Sequence, residues 1–404
     1  MNAPHDEIPA EAAGAARHAI DSHFIPVRVR DLVRTLAGDE ATFGMAAPRL
    51  GEIGTAIERI IGQEMYSFES RLCDLYARVN PDRECVEVTH DDGETGREDE
   101  ELERAVAHVL SKANFRRLDD VEVSRTLATA STYGLRIRIR PEAVDSLSLW
   151  IRGRATATRR RRTARHPLRG VELTVEVYQR LVVVVRLTGE SALRIKHFRE
   201  IPVTDVEALL PHAEVQMNLT DKLKVIGGSA GAVGATAFKI AKLVATVAVL
   251  SKILWLLALA CVILLVRGLL GYRSARHMRL SQRTQHLYYQ NLANNEAALH
   301  TLLTLTAYEE IKEAMLAYAC LVSGTGRVSA AADLKAEAER YIRERFGVSI
   351  SFDVDDALET LDRLDGWSDR GQFRVRPPAE FLAALREHAR EGRSATYHQD
   401  VLSR

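Results

Sequence analysis

One uninterrupted stretch limits what the rest of the chain can be. Residues 224–268 read KVIGGSAGAVGATAFKIAKLVATVAVLSKILWLLALACVILLVRG. They are apolar enough for a bilayer yet too long for one helix crossing it, since a span takes about 20 apolar residues. Lys239, Lys242 and Lys252 interrupt the run. With one crossing, 243–266 would serve, and Lys252 near its centre would cost roughly 2.5–3.5 kcal/mol. With two, 225–250 and 253–272 form a hairpin that turns at Ser251 and Lys252. Two features favour the hairpin. Gly227, Gly231 and Ala235 are spaced four apart, a small-residue pattern that lets helices approach closely in lipid. Basic residues also mark both ends, Lys222 and Lys224 at the start and Arg267, Arg273 and Arg276 at the finish. Positive flanks stay on the cytoplasmic side, so both ends on one side require an even number of crossings. On a helix turning about 100° per residue, Lys242 and Lys239 share a stripe with Ala235 and Gly231. These lysines snorkel or pack within a bundle, or else line a pore in a homo-oligomer.

Composition narrows the surroundings of this segment. The 55 basic and 55 acidic residues cancel, so no overall charge draws the chain to nucleic acid. Only nine of the basic residues are Lys, and five of those (222, 224, 239, 242 and 252) lie in or beside the apolar run. Cys73, Cys85, Cys261 and Cys320 are far apart and show no zinc-type spacing. Residues 1–23 hold neither an apolar leader core nor an Arg-rich presequence. A disordered start and a bacterial inner-membrane location, multi-pass, are expected rather than a mitochondrial one.

The flanks read as an α+β protein. Helical spacing runs from Phe24 to about Asn80, and alternation then marks strands at 135–140, 146–152, 171–178, 181–187 and 192–198. N-terminal helices backing an antiparallel sheet give a soluble domain over 24–205. Between two of those strands, eight Arg fall within Arg152–Arg169, including Arg159, Arg160, Arg161 and Arg162. This stretch reads as a solvated loop, and beside a membrane it would, with Arg273 and Arg276, meet anionic headgroups. After the hairpin (225–272) come membrane-proximal helices over 273–323, with a long amphipathic helix ending near Gly324. Residues 330–392 follow helix, strand (GVSISF), helix, β element and helix, a winged-helix-like module, and 393–404 form a tail. Its VDDALETLDRLD helix is acidic, which points to protein contact rather than DNA.

Several segments occur in an order that resembles a known family: FIPVRVRDLVRTL, RLCDLYARVNPD, SKANF, YQRLVVVVRL, LRIKHFREIPVTDVEALLP, LYYQNLANNEAALHTLL, EEIKEAMLAYACL and FDVDDALETLDRL. Together they resemble the transmembrane protein 143 family, defined by a domain of unknown function (number 3754), from about Phe24 to Arg376. The resemblance implies two transmembrane helices between the FREIP and YYQNLANN segments, and it transfers no catalytic residues.

The polar cluster of that second segment, Tyr288, Gln290, Asn291, Asn294 and Asn295, could line a ligand site. The plainer reading is that Asn294 or Asn295 caps the following helix. His300 lies four residues after Glu296 on one helical face, which reads as an ordinary hydrogen bond. No nucleotide-binding, hydrolase or metalloprotease motif is present. No residue is therefore assigned to catalysis, a cofactor or a metal. The expected function is a membrane-anchored scaffold or regulator with both soluble regions cytoplasmic. The alternative is an oligomeric channel or transporter lined by the glycine-rich helix.

Overall fold

The computed structural model describes residues 18–21, 23–83, 95–123, 135–138, 144–163, 166–203, 206, 209, 214–217, 259–260, 290–323 and 328–391. In chain order the elements are β1 (His18–Asp21), α1 (Val29–Gly38), α2 (Glu40–Phe43), α3 (Ala47–Ala77), α4 (Thr95–Lys112), β2 (Arg116–Arg117), β3 (Leu135–Arg138), β4 (Val144–Thr163), β5 (His166–Leu187), β6 (Leu193–Pro202), β7 (Glu214–Met217) and β8 (Asn291–Asn294). Then follow α5 (Asn295–Val322), α6 (Ala331–Phe346), α7 (Val354–Arg363), β9 (Trp367–Asp369), β10 (Arg374–Val375) and α8 (Pro378–Glu391). They fall into two compact units: 1–123, 142–202 and 292–404 form one, and 124–141 with 203–291 form the other. In the second unit the described secondary structure is mainly one antiparallel pair, β3 with β7.

The first unit is α+β, as the sequence predicts. Its sheet runs β1-β4-β5-β6-β8, with β2 pairing β4. The LVVVVRL run lies in β5 between β4 and β6, and Leu181, Val182, Val183 and Val185 are all buried. A strand covered on both faces accommodates an unbroken apolar run, because no side of the pleat needs polar residues. The predicted strands 171–178 and 181–187 are in fact one 22-residue strand. Its partner β4 is also long, and the pair continues past Arg159↔Leu173 and Arg161↔Val171 to Thr163↔His166. The Arg-rich segment is thus the tip of a β-hairpin rather than a loop. Ladder hydrogen bonds satisfy its backbone whatever the side chains prefer, which is how tertiary pairing overrides weak strand propensity. Midway along β4, Gly153 has φ +72°, and a Cβ there would meet Gln179 and Phe24.

Helices cover one face of this sheet. Along α3 the buried residues Leu50, Ile53, Ile57, Ile60, Ile61, Met65, Phe68, Leu72, Leu75 and Tyr76 recur at three- and four-residue spacing. Gly54 lets α1 approach closely, since a Cβ there would sit 2.8 Å from Val33. The Tyr76 hydroxyl donates to the Leu193 carbonyl at 2.7 Å, tying α3 to β6. Each large side chain fully buried in such a core contributes roughly 1.5–3 kcal/mol.

Helix α5 departs from its amphipathic reading. Every residue from Glu309 to Cys320 is buried, so this half is the axis of the bundle rather than a surface helix. A helix enclosed on all sides should be apolar all round. This one carries Glu309, Glu310, Lys312 and Glu313, each no more than 5% exposed. The C-terminal helices belong to the same core: α7 packs on α5 and α8 on α3, and the Tyr318 ring lies 4.5 Å from Phe381. The predicted strand GVSISF forms no strand; its Ile350 and Phe352 are simply buried. Without a neighbouring edge to pair with, alternation alone makes no ladder.

Candidate functional site

The sequence places candidate residues in four regions, and the structure treats them differently. Gly227, Gly231, Ala235, Lys239, Lys242, Arg273, Arg276 and Tyr288 lie outside the described residues, as does the 225–272 hairpin apart from Leu259 and Ala260, which are helical. Arg159, Arg160, Arg161 and Arg162 are placed as backbone at the β4–β5 tip. Gln290, Asn291, Asn294 and Asn295 sit where the chain enters β8 and α5. Among the described residues no helix is long and apolar enough to cross a membrane.

At the start of α5 the expected cap does not form. Asn294 occupies the N-cap position but makes no side-chain capping bond. Asn295, held at φ +49°, instead accepts from the Ile195 amide at 3.2 Å and donates to Asp82. It therefore fastens the helix start to β6 and to the turn that follows α3. Glu200, in the FREIP segment of the same strand β6, also has a left-handed φ of +53°. Left-handed backbone at a non-glycine residue costs of order 1–3 kcal/mol and persists only where surrounding bonds hold it. Each of the two segments that carry the family resemblance most specifically thus holds one left-handed residue, that of the second at the β8–α5 junction.

Beside this junction, two helices bring ionisable groups together. Glu69 and Cys73 are four apart on α3, and Glu296 and His300 are four apart on the first turns of α5. One ligand atom each of Cys73, Glu296 and His300 lie within 4.8 Å of one another. His300 Nδ1 contacts the Glu69 carboxylate, and its Nε2 lies 3.9 Å from Glu296 Oε1. Asn80 Nδ2 donates to the other oxygen of Glu296 at 3.1 Å. Burial, reinforced by Glu296, Glu69 and Asp74, pushes the Cys73 thiol up to about 11. A thiol so disfavoured as thiolate is no nucleophile at neutral pH. The sequence shows Glu296 and His300 as a pair but gives no sign of Glu69 and Cys73, more than 220 residues earlier.

A second polar group lies inside the bundle. Arg152 pairs with Glu309, Lys312 Nζ reaches Glu309 at 2.7 Å and the Ile25 carbonyl at 2.6 Å, and the Ile25 amide donates to Glu309 at 3.2 Å. The Arg152 guanidinium also lies 4.2 Å over the Phe24 ring. Glu313 accepts from Asn114 at 2.7 Å, and burial, with Glu309 nearby, raises its carboxyl well above the usual range. Towards the C-terminal helices, Arg363 bridges Glu64 and Glu310. Burial first, and Glu310 in addition, push Glu64 up to about 7 despite the guanidinium beside it. Lys112 on α4 holds Asp356 and Glu359 of α7. Arg152, Arg363 and Lys112 each meet carboxylates brought from distant parts of the chain, so this network locks helices together.

His197 on β6 is fully buried, and neither ring nitrogen meets a hydrogen-bond partner among the described residues. Burial, together with Arg180 and Arg152, holds it down to about 3. The unfolded chain takes up a proton near 6.5 while the folded one does not, so this group erodes stability as pH falls below 6.5. His197→Leu is expected to gain about 2 kcal/mol on the wild type between pH 7 and pH 5, measured by urea unfolding. An unchanged difference between the two pH values would show that the imidazole is not kept neutral.

No solved structure matches the chain. The family match is shorter than the Phe24–Arg376 span of the resemblance: it covers about a third of the chain, from the β4 tip through β5, β6 and the apolar run to the start of α5. Residues 161–297 match the family described as a protein of unknown function (DUF3754).

Proposed function

We propose that the chain is a multi-pass membrane protein, a tethered scaffold or regulator whose first unit lies on the cytoplasmic side of a bacterial inner membrane. The observation that supports this reading is topological. Strand β6 ends at Pro202 and β8 begins at Asn291, and the two are neighbours in one sheet. The chain leaves a folded unit, runs through the apolar stretch 224–268, and returns to the same unit. A unit assembled from both flanks stays on one side of a bilayer, so any crossings between them are even in number. A hairpin of 225–250 and 253–272 meets that requirement, whereas one span over 243–266 does not. Leu259 stands 56% exposed within the longest apolar run, as a lipid-facing side chain would. The Arg-rich β4–β5 tip would then meet anionic headgroups.

The C-terminal α6, α7, β9–β10 hairpin and α8 follow the order of a winged-helix-like module. Its α7 turns Val354, Ala357 and Leu361 into the core, and two of its acids are engaged by Lys112. That supports a role in packing and protein contact rather than in reading DNA.

Single cysteines introduced at Thr220, Ser251 and Ser281 test the topology. A membrane-impermeant maleimide should label Ser251→Cys in intact cells, and Thr220→Cys and Ser281→Cys only after permeabilisation. Labelling of the latter two from opposite sides would overturn the hairpin. Recovery of the protein outside carbonate-washed membranes would overturn the membrane reading altogether.

A further inference from the structure

Helices α3 and α5 each present two potential ligands one turn apart. An i,i+4 pair projects from one helical face, so Glu69 with Cys73 and Glu296 with His300 form two facing pairs. Their donor set is mixed: a sulfur, an imidazole and carboxylates. Carboxylates alone would suit calcium or magnesium, whereas a thiolate beside an imidazole selects zinc-like ions. A tetrahedral zinc with bonds of about 2.0–2.3 Å holds its ligand atoms roughly 3.3–3.8 Å apart. The Nε2 to Oε1 separation of 3.9 Å already approaches this, and the 4.8 Å limit on the three ligand atoms requires side-chain movements of about 1 Å or less.

The supporting contacts are those that a metal site needs. His300 turns Nδ1 to the Glu69 carboxylate, which directs Nε2 towards Glu296. Asn80 holds Oε2 of Glu296, leaving Oε1 facing the histidine. A carboxylate on the far nitrogen of a ligating histidine, and a hydrogen bond on the far oxygen of a ligating carboxylate, fix both ligands for the ion. Asn295, next to Glu296, is fastened to Ile195 and Asp82 and sets where α5 begins.

We propose that Cys73, Glu296 and His300 bind a zinc-like divalent cation at the α3–α5 junction, with Glu69 and Asn80 as positioning residues. Binding sends the thiol proton to solvent. One thiolate, one carboxylate and a neutral imidazole then balance the two charges of the ion. Three protein ligands leave a fourth position for water, and His300 and Glu296 are half exposed, so that position faces solvent. The ion would clamp α5 to α3 at the strained junction, independently of any membrane crossing.

The full-length protein in detergent, stripped with a chelator, should be titrated with Co²⁺ as a spectroscopic probe. The expected result is a thiolate-to-cobalt charge-transfer band that saturates at one equivalent and is abolished by stoichiometric Zn²⁺. Cys73→Ser should lose the band. Glu69→Gln should keep its shape but weaken affinity about 10–100-fold. Since His300 is half exposed, His300→Ala leaves the core intact and carries the test if Cys73→Ser fails to fold; it should weaken binding by a larger factor than Glu69→Gln. No band in the wild type, a band surviving in Cys73→Ser, or unchanged affinity in His300→Ala would each overturn the site. Unchanged affinity in Glu69→Gln would overturn the positioning role.

Discussion

Arg363→Leu is expected to lose about 3–5 kcal/mol of unfolding free energy at pH 8, and to regain much of it at pH 5. The guanidinium bridges Glu64 and Glu310, whose side chains are 1% and 2% exposed. Removing it leaves two buried carboxylates close together without their cation. The pH dependence follows from Glu64. Its folded value of about 7 lies above the 4.5 of an unperturbed carboxyl, so the folded state holds the proton more tightly. That contribution is fully present below 4.5 and is lost as pH rises through 7. Without Arg363 the folded value moves further up, so the penalty at pH 8 grows while Glu64, already protonated at pH 5, is affected little there. Urea unfolding of wild type and variant at both values measures this directly. A loss equal at pH 5 and pH 8 would mean that Arg363 acts through packing of its stem, not through charge.

The elements of this fold were legible in the sequence wherever one periodicity ruled. The three- and four-residue spacing of α3 and the apolar run of β5 each identify a single environment over many residues. Legibility failed where partners were distant. EEIKE reads as the wet face of an amphipathic helix, because charge is costly inside unless paired. Its partners Arg152, Asn114 and Arg363 lie 53 to 199 residues away, and no local pattern reveals them. The Arg-rich tip failed for the converse reason: nothing about four successive arginines favours a strand, and the register set by the buried part of β4 and β5 carries them into the ladder. The cation site was half legible. Glu296 and His300 were visible as a pair, but their counterparts on α3 could not be recognised without knowing that α3 faces α5.

Glu309→Leu tests whether the axis of the bundle is held by its charges. Glu309 is 1% exposed and meets Arg152 and Lys312, themselves 6% and 5% exposed. It also accepts the amide of Ile25, which anchors the segment leading into α1. Leucine there leaves two buried cations and one buried amide unpaired, with an expected loss of about 3–5 kcal/mol by urea unfolding. The triple variant Arg152→Met, Glu309→Leu, Lys312→Met removes the stranded charges as well. Buried ion networks replaced by apolar groups of similar volume are often neutral or better, so the triple variant should recover most of the stability lost by the single one. It should still lack the hydrogen bonds to Ile25, a residual cost of about 1–3 kcal/mol. A triple variant as unstable as Glu309→Leu would place the energy of the site in shape and hydrogen bonding rather than in compensated charge. Recovery would show that the network sets which segments dock on α5 more than how tightly they hold. A helix buried on every side has no polar face to fix its rotation, and the ion pairs to Arg152 and Arg363 with the hydrogen bond from Asn114 supply one.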